Sequence, residues 1–325
     1  MNLTLDIQMQ RYPTRTPFRI SRTSVTAVDV IQVTLSEGRH IGRGECRPYA
    51  RYNQTVASVT AELESVRHII TKGKIETALR QLQSKSAARN ALESAWVDFQ
   101  AKSSNRTAAS ILGVQSPAPR QTAFTLSWGP VEAMVTAAKA AKDYPWLKIK
   151  IGEGGLDQVL AVAAARPDAQ LIIDANEALS SETLPNFFEA LSGLNIALIE
   201  QPLPAGHENK LPQTDLTICA DEGLHSIVDL ENLWSLGYRA VNVKLDKCGG
   251  PIAAHDLCLL AKEMGFTVMA GCMVGSSLAM APMMMLESLC DIIDLDGALL
   301  LAEDIENGFK YDGAMIYPPS AKLWG

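Results

Sequence analysis

Five apolar runs in this chain end, in regular succession, on a charged residue. Leu147-Lys148-Ile149-Lys150-Ile151 is followed by Leu171-Ile172-Ile173-Asp174, Ala197-Leu198-Ile199-Glu200, Ile218-Cys219-Ala220-Asp221 and Val241-Asn242-Val243-Lys244. One such ending reads as a solvated strand terminus, and two adjacent lysines read as a polar face. Five in a row predict a convergent site. Asp174, Glu200 and Asp221 from three successive strand ends would repel one another and be costly to desolvate without a cation. An all-oxygen set favours a hard divalent ion, Mg²⁺ or Mn²⁺, over zinc. Lys150 and Lys244 flank the three carboxylate strands. On the second and sixth strands of an eight-stranded barrel they would face each other across the mouth. That geometry suits removing a proton from one face of a carbon and returning one to the other. A neighbouring cation is expected to lower a lysine's pKa toward that of a base. A positioned base contributes roughly 10²–10⁴-fold. The rest of the acceleration would come from stabilising the enolate charge, with Lys148 taking part.

These residues need parallel strands to present them. From Gln121 onward strand-like and helix-like runs alternate, with strands near residues 124, 149, 172, 198, 218, 242, 268 and 292. Such βα repeats imply parallel strands with crossover helices, and eight of them fit a closed barrel better than an open sheet. No nucleotide-binding glycine motif follows any strand. Within the strands, Leu147, Ile149, Ile151, Ile173, Val241, Val243 and Leu245 should face the helices. Lys148, Lys150, Asp174, Asn176, Asn242 and Lys244 should then face inward at the C-terminal ends.

The preceding segment differs. Residues 1 to about 50 read as β structure, with an alternating run from Met1 to Gln10, a strand over Val28–Leu35 and a turn at Gly38. Two loops, 16–24 with two arginines and 44–53 dense in Arg and Tyr, are either solvent decoration or a cover for the site. Helical spacing predicts one helix over 56–70 and another over 86–102; Gly113 stops the next helix, and Pro117 and Pro119 mark a linker.

Composition bounds the function. The 325 residues carry a net charge of −7, which argues against a nucleic-acid partner. Six cysteines without C-x-x-C spacing give neither a disulfide framework nor a thiolate zinc site, and with no apolar leader they point to the cytoplasm. The five histidines fall away from the strand ends. Residues 266–286 are uncharged and long enough to span a membrane, but Gly271, Gly275, Ser276, Ser277 and Pro282 divide them into strand, loop and helix.

The set Lys-x-Lys (148–150), Asp-Ala-Asn-Glu (174–177), Glu-Gln-Pro (200–202), Ala-Asp-Glu (220–222) and Asn-x-Lys-x-x-Lys-x-Gly-Gly (242–250) resembles the enolase superfamily, muconate-lactonizing subgroup, over essentially the whole chain. The resemblance implies an α/β fold. An N-terminal α+β capping domain (1–118, completed by 301–325) would precede a modified TIM barrel, (β/α)₇β, over 119–300. It implies Asp174, Glu200 and Asp221 as ligands of one Mg²⁺ per subunit and Lys150 and Lys244 as the acid/base pair. Asn176 and Glu222 would lie beside the ligands. Within the subgroup the chain is most similar to dipeptide epimerases, the L-Ala-D/L-Glu type. Gly44-Glu45-Cys46, Ala87 to Leu92 and Gly271-Cys272-Met273 share in that likeness. Two carboxylates at i and i+2, Asp294 and Asp296, would hold a substrate's ammonium; capping the following helix is the alternative for them. Arg22 matches a capping-loop arginine that meets the glutamate side chain, and Thr125 and Met273 would also touch substrate. The substrate expected is a small dipeptide, Ala-Glu, with peptidoglycan-peptide recycling implied and neither membrane nor nucleic acid as partner; homo-oligomerisation stays open. Muconate cycloisomerase, o-succinylbenzoate synthase and N-acylamino acid racemase remain alternatives. Leu179, where many relatives have Trp, and Cys248, where others carry Thr or Ala, depart from the pattern.

Overall fold

The computed structural model describes residues 3–325, so Met1 and Asn2 of the N-terminal alternating run lie outside the described residues. Alternation builds the first sheet. Strands Thr4–Ile20, Thr23–Glu37 and His40–Cys46 pair antiparallel in sequence order, the last two joined at Gly38, which adopts φ 59°. The apolar face (Leu5, Ile31, Val33, Leu35) packs against helix Ala87–Ser104, which presents Ala88, Ala91, Leu92, Ala95 and Phe99. The approach is close enough to require glycine: a Cβ on Gly44 would lie 2.2 Å from the Ala91 carbonyl oxygen. The helix expected over 56–70 is interrupted at Val66, giving Val56–Ser65 and Arg67–Ile70.

Segment 16–24 is not a free loop. Thr16–Ile20 and Thr23 onward continue a long hairpin, and its tip, Ser21-Arg22, reaches over the barrel. Ser21 donates to the Asn176 carbonyl at 2.9 Å, and the Arg19 amide to Ser127 Oγ at 2.8 Å.

The eight parallel strands form at the expected places. They are Phe124–Leu126, Trp146–Lys150, Gln170–Asp174, Ile196–Glu200, Ile218–Ala220, Ala240–Val243, Thr267–Ala270 and Ile292–Ile293, each hydrogen-bonded to the next. A parallel bridge between Thr122 and Ile293, with the Ala123 amide donating to the Ile293 carbonyl at 2.8 Å, closes the barrel. One strand face meets the helices through Leu147, Ile149, Leu171, Ile173, Ile199, Val241 and Val243. The other faces inward, where Ala123, Ile172, Leu198, Cys219, Ala240, Met269 and Ile292 form an apolar layer. Helices follow the strands except after the fourth and after the eighth, which leads into the 3₁₀ turn Gly297–Leu300; the fourth is the exception within the repeat. There only a 3₁₀ turn, Glu208–Lys210, is formed, because Pro202, Pro204, Gly206 and Pro212 leave too little uninterrupted chain for a helix. The uncharged stretch 266–286 divides as expected into strand Thr267–Ala270 and helix Ser277–Met284, and no described helix is long and apolar enough to cross a membrane.

Buried polar contacts dock the N-terminal sheet and its helix onto the barrel. Glu45 accepts from the Ser276 amide (2.8 Å), Ser276 Oγ (2.7 Å) and Gln32 (2.9 Å). Asp246 accepts from Asn90 Nδ2 at 2.8 Å and the Arg47 amide at 3.3 Å. Burial, against the pull of these two bonds, pushes the Asp246 carboxyl up to about 7. The unfolded chain would lose this proton near pH ~3.9. Between those values the folded state binds more protons, so this group's contribution to stability falls as pH rises from ~4 to ~7. Unfolding free energy measured across that range should fall more steeply in the wild type than in Asp246→Asn; parallel profiles would contradict the assignment.

Candidate active site

Strand register assembles the centre. Lys150 lies beside Asp174, and Asp174 beside Glu200, in one row across three parallel strands. Parallel strands lie ~4.8 Å apart, so neighbouring inward side chains must interact. Lys150 Nζ stands 2.5 Å from Asp174 Oδ2. Asp221 and Lys244 each follow the end of a strand and meet at 2.6 Å. Lys148 is wholly buried and bridges three carboxylates: Glu200 at 2.7 Å, Asp294 at 2.7 Å and Asp174 at 3.2 Å. Asn242 donates to Glu200 Oε1 at 2.8 Å, and Gly271 makes room for it, since a Cβ there would sit 1.9 Å from Asn242 Oδ1.

Charge governs titration here. Burial raises the Asp174 and Asp221 carboxyls, but lysines outweigh it (Lys150 first for Asp174, Lys244 first for Asp221) and hold both well below the usual range. Glu200 goes the other way, raised by burial and then by the Asp174 charge. Burial pulls Lys148 and Lys244 down, yet the carboxylates around them win and hold both well above the ordinary lysine value.

Asp294 and Asp296 are buried past the end of the eighth strand. Asp296 accepts from the Thr125 amide at 2.6 Å, and burial followed by the Asp294 charge raises its carboxyl to about 7. The capping alternative is not realised: Asp296 precedes the turn Gly297–Leu300 but makes no side-chain cap bond to it. Asp294 Oδ1 has no hydrogen-bond partner.

A single pocket is lined by Arg22, Thr125, Lys148, Lys150, Asn176, Asp221, Glu222, Lys244, Met273, Asp294 and Asp296, with Asp174 and Glu200 bonded to its lysines. The thirteen site residues expected from sequence thus come together. Arg22 does so in an unexpected way, because its guanidinium is occupied by Glu177 (2.6 Å), Glu222 (2.7 Å) and the Asn176 carbonyl (2.6 Å). Both loop segments cover the mouth: Phe18, Ile20 and Arg22 of one and Arg47, Tyr49 and Tyr52 of the other line it, and Arg51 pairs with Glu177 at 2.7 Å.

Three further residues had no assigned role. Lys247, buried, holds Asp221 Oδ1 at 2.5 Å. Gln201 receives the amides of Asp221 (2.9 Å) and Gly223 (3.1 Å). Glu177 anchors both arginines. The signals were present, in the second lysine of Asn-x-Lys-x-x-Lys and in the residues following the Asp174 and Glu200 strand ends. Asn176, Glu177 and Gln201 adopt φ 42°, 69° and 36°, so backbone strain collects at these strand exits.

The donor set suits a hard divalent cation. Asp174, Glu200 and Asp221 supply only oxygen, and Asn176 Oδ1, Glu222 Oε2 and Asn242 Oδ1 are buried acceptors without a donor. Among the described residues, however, the carboxylates do not form a three-ligand cluster; lysine ammonium groups take up their charge. Removing one partner of a buried pair costs about 3–5 kcal/mol. Lys247→Met should therefore lower unfolding stability in urea by an amount of that order, and an unchanged midpoint would show that Asp221 does not depend on it.

Residues 3–113 match the family "Mandelate racemase / muconate lactonizing enzyme, N-terminal domain", and residues 131–321 match "Enolase C-terminal domain-like". An N-acetyl-D-glutamate racemase from Pseudoalteromonas sp. is 39% identical over 91% of this chain and 95% of its own. An L-Ala-D/L-Glu epimerase from Escherichia coli K12 is 36% identical over 95% and 97%. The crystal structure of an enolase family member from Agrobacterium tumefaciens with homology to dipeptide epimerases holds sodium and L-Ala-L-Glu. It superposes with a TM-score of 0.95 at 38% identity, covering 99% of this chain and all of that one.

Proposed function

This chain belongs to the enolase superfamily, among its isomerases of dipeptides and amino-acid derivatives, and we propose that it epimerises the glutamate α-carbon of Ala-Glu by 1,1-proton transfer. The observation that carries the dipeptide reading is the buried pair Asp294/Asp296, opening into the same pocket as Lys150 and Lys244, with Asp294 Oδ1 free of any donor. A dipeptide's ammonium answers that pair.

Lys150 and Lys244 stand on the second and sixth of eight strands and approach an α-carbon from opposite faces. One takes the proton; the other, as ammonium, returns one to the opposite face. Asp174, Glu200 and Asp221 would hold one Mg²⁺ per subunit, which when bound supplies positive charge for the substrate carboxylate and for the enolate that deprotonation creates. Lys148 adds a fixed ammonium beside that carboxylate. Lys247 and Gln201 position Asp221, and Asn242 positions Glu200.

A second reading, racemisation of N-acetylglutamate, is favoured by the Pseudoalteromonas relative. That substrate carries no ammonium. In D₂O with Mg²⁺, the wild type should place deuterium at the glutamate α-carbon of Ala-Glu faster than in N-acetylglutamate. Asp294→Asn should cut the dipeptide rate by at least tenfold while sparing N-acetylglutamate. The reverse preference, with Asp294→Asn neutral, would favour the second reading. Dialysis against EDTA should stop exchange and added Mg²⁺ restore it; full turnover after EDTA would contradict the metal assignment.

A further inference from the structure

Five cationic side chains line the pocket, and four of them have a carboxylate oxygen at 2.7 Å or closer: Arg22, Lys148, Lys150 and Lys244. Arg47 alone, among the described lining residues, forms no ion pair. Its backbone amide is anchored on Asp246 at 3.3 Å, its Nη1 donates to the Val274 carbonyl at 3.3 Å, and its guanidinium lies 5.5 Å from the centre of the Tyr49 ring. The backbone is held by the first contact and the side chain by the other two, which use one of its five donors.

We propose that Arg47, rather than Arg22, receives the side-chain carboxylate of an acidic residue in the substrate. This rests on the reading that the pocket takes an N-substituted glutamate. Arg22 is already committed. To greet a ligand it would have to leave Glu177 and Glu222, and Glu222 is buried with its second oxygen unpartnered, so the ligand's gain would be set against a stranded carboxylate. Arg47 has no such debt. Burial, the largest influence on it, pulls its pKa below the ordinary arginine value. A half-buried guanidinium lining the pocket with an open planar fork is the receptor that a carboxylate completes, in a bidentate pair. Arg22 then has a positioning role: with Arg51 it ties the hairpin tip and the 50–52 turn to Glu177, holding the cover over the mouth.

The test compares wild type, Arg47→Met, Arg47→Lys and Arg22→Met by α-proton exchange on Ala-Glu, Ala-Gln, N-acetylglutamate and N-acetylglutamine, with thermal unfolding to verify folding. Glu and Gln side chains differ in charge but not in shape. Losing one partner of a buried charge pair across an interface weakens binding by roughly 30-fold or more. Arg47→Met should lower kcat/KM on the Glu-bearing substrates by about that factor, mainly through KM, and leave the Gln-bearing ones near wild type. Arg47→Lys should recover part of the Glu preference, and Arg22→Met should keep it whatever it does to the overall rate. The proposal is overturned if Arg47→Met retains the Glu-over-Gln preference, if it slows both equally, or if Arg22→Met is the variant that erases the preference. Exchange on the N-acetyl pair alone would refute the dipeptide reading while still testing Arg47 through that pair. A wild type inactive on all four substrates would refute both.

Discussion

The structure depends on balancing charge inside a barrel mouth that water barely enters. Three carboxylates from adjacent strands are held against Lys148, Lys150, Lys244 and Lys247, each contact at 2.5–2.7 Å. A lone buried charge would be prohibitive, and a half-made network worse than an apolar core. Packing below the site serves the same end. The apolar layer of Ile172, Leu198, Cys219 and Met269 fills the barrel interior, so the polar groups are confined to the C-terminal rim. Two of these ammonium groups, Lys150 and Lys244, are also the proposed acid and base. A divalent cation on those carboxylates would take over their charge and favour the neutral form of Lys244, which reconciles its raised pKa with its proposed role as a base.

The covering sheet is bound to this centre by polar contacts rather than by apolar area alone. Glu45 on Ser276, Asp246 on Asn90, and Ser21 and Arg22 on Asn176 join residues far apart in sequence. Asn176 sits two residues from Asp174 and Asp246 two residues from Lys244. The cover is thus wired to the strand exits that carry the proposed metal ligand Asp174 and the proposed base Lys244.

Much of this was legible because strand geometry makes one residue report twice. Lys150 is at once an inward position of a period-two pattern and a charged group, and the same holds for Asp174 and Glu200. The eight strands and their order followed from that alternation. What depended on partners distant in sequence could not be read. Arg22 looks like a free anion receptor until Glu177 and Glu222, brought in by two other barrel strands, occupy it; Arg47 looks like surface decoration until its lack of a partner is seen. Lys247 is visible in the motif, but its contact with Asp221 requires the turn Leu245–Cys248 to fold it back into the barrel. The absent helix after the fourth strand was announced by Pro202, Pro204 and Pro212, signals that a repeating βα pattern overrode.

The central claim is that two lysines on opposite faces share one α-carbon. It is tested most directly by following α-proton exchange in D₂O, separately for L-Ala-L-Glu and L-Ala-D-Glu, in Lys150→Ala and Lys244→Ala. Each variant should lose epimerisation, and each should keep exchange with only one epimer, a different one in each case. Epimerisation surviving in either variant, or both variants sparing the same epimer, would contradict the two-base account.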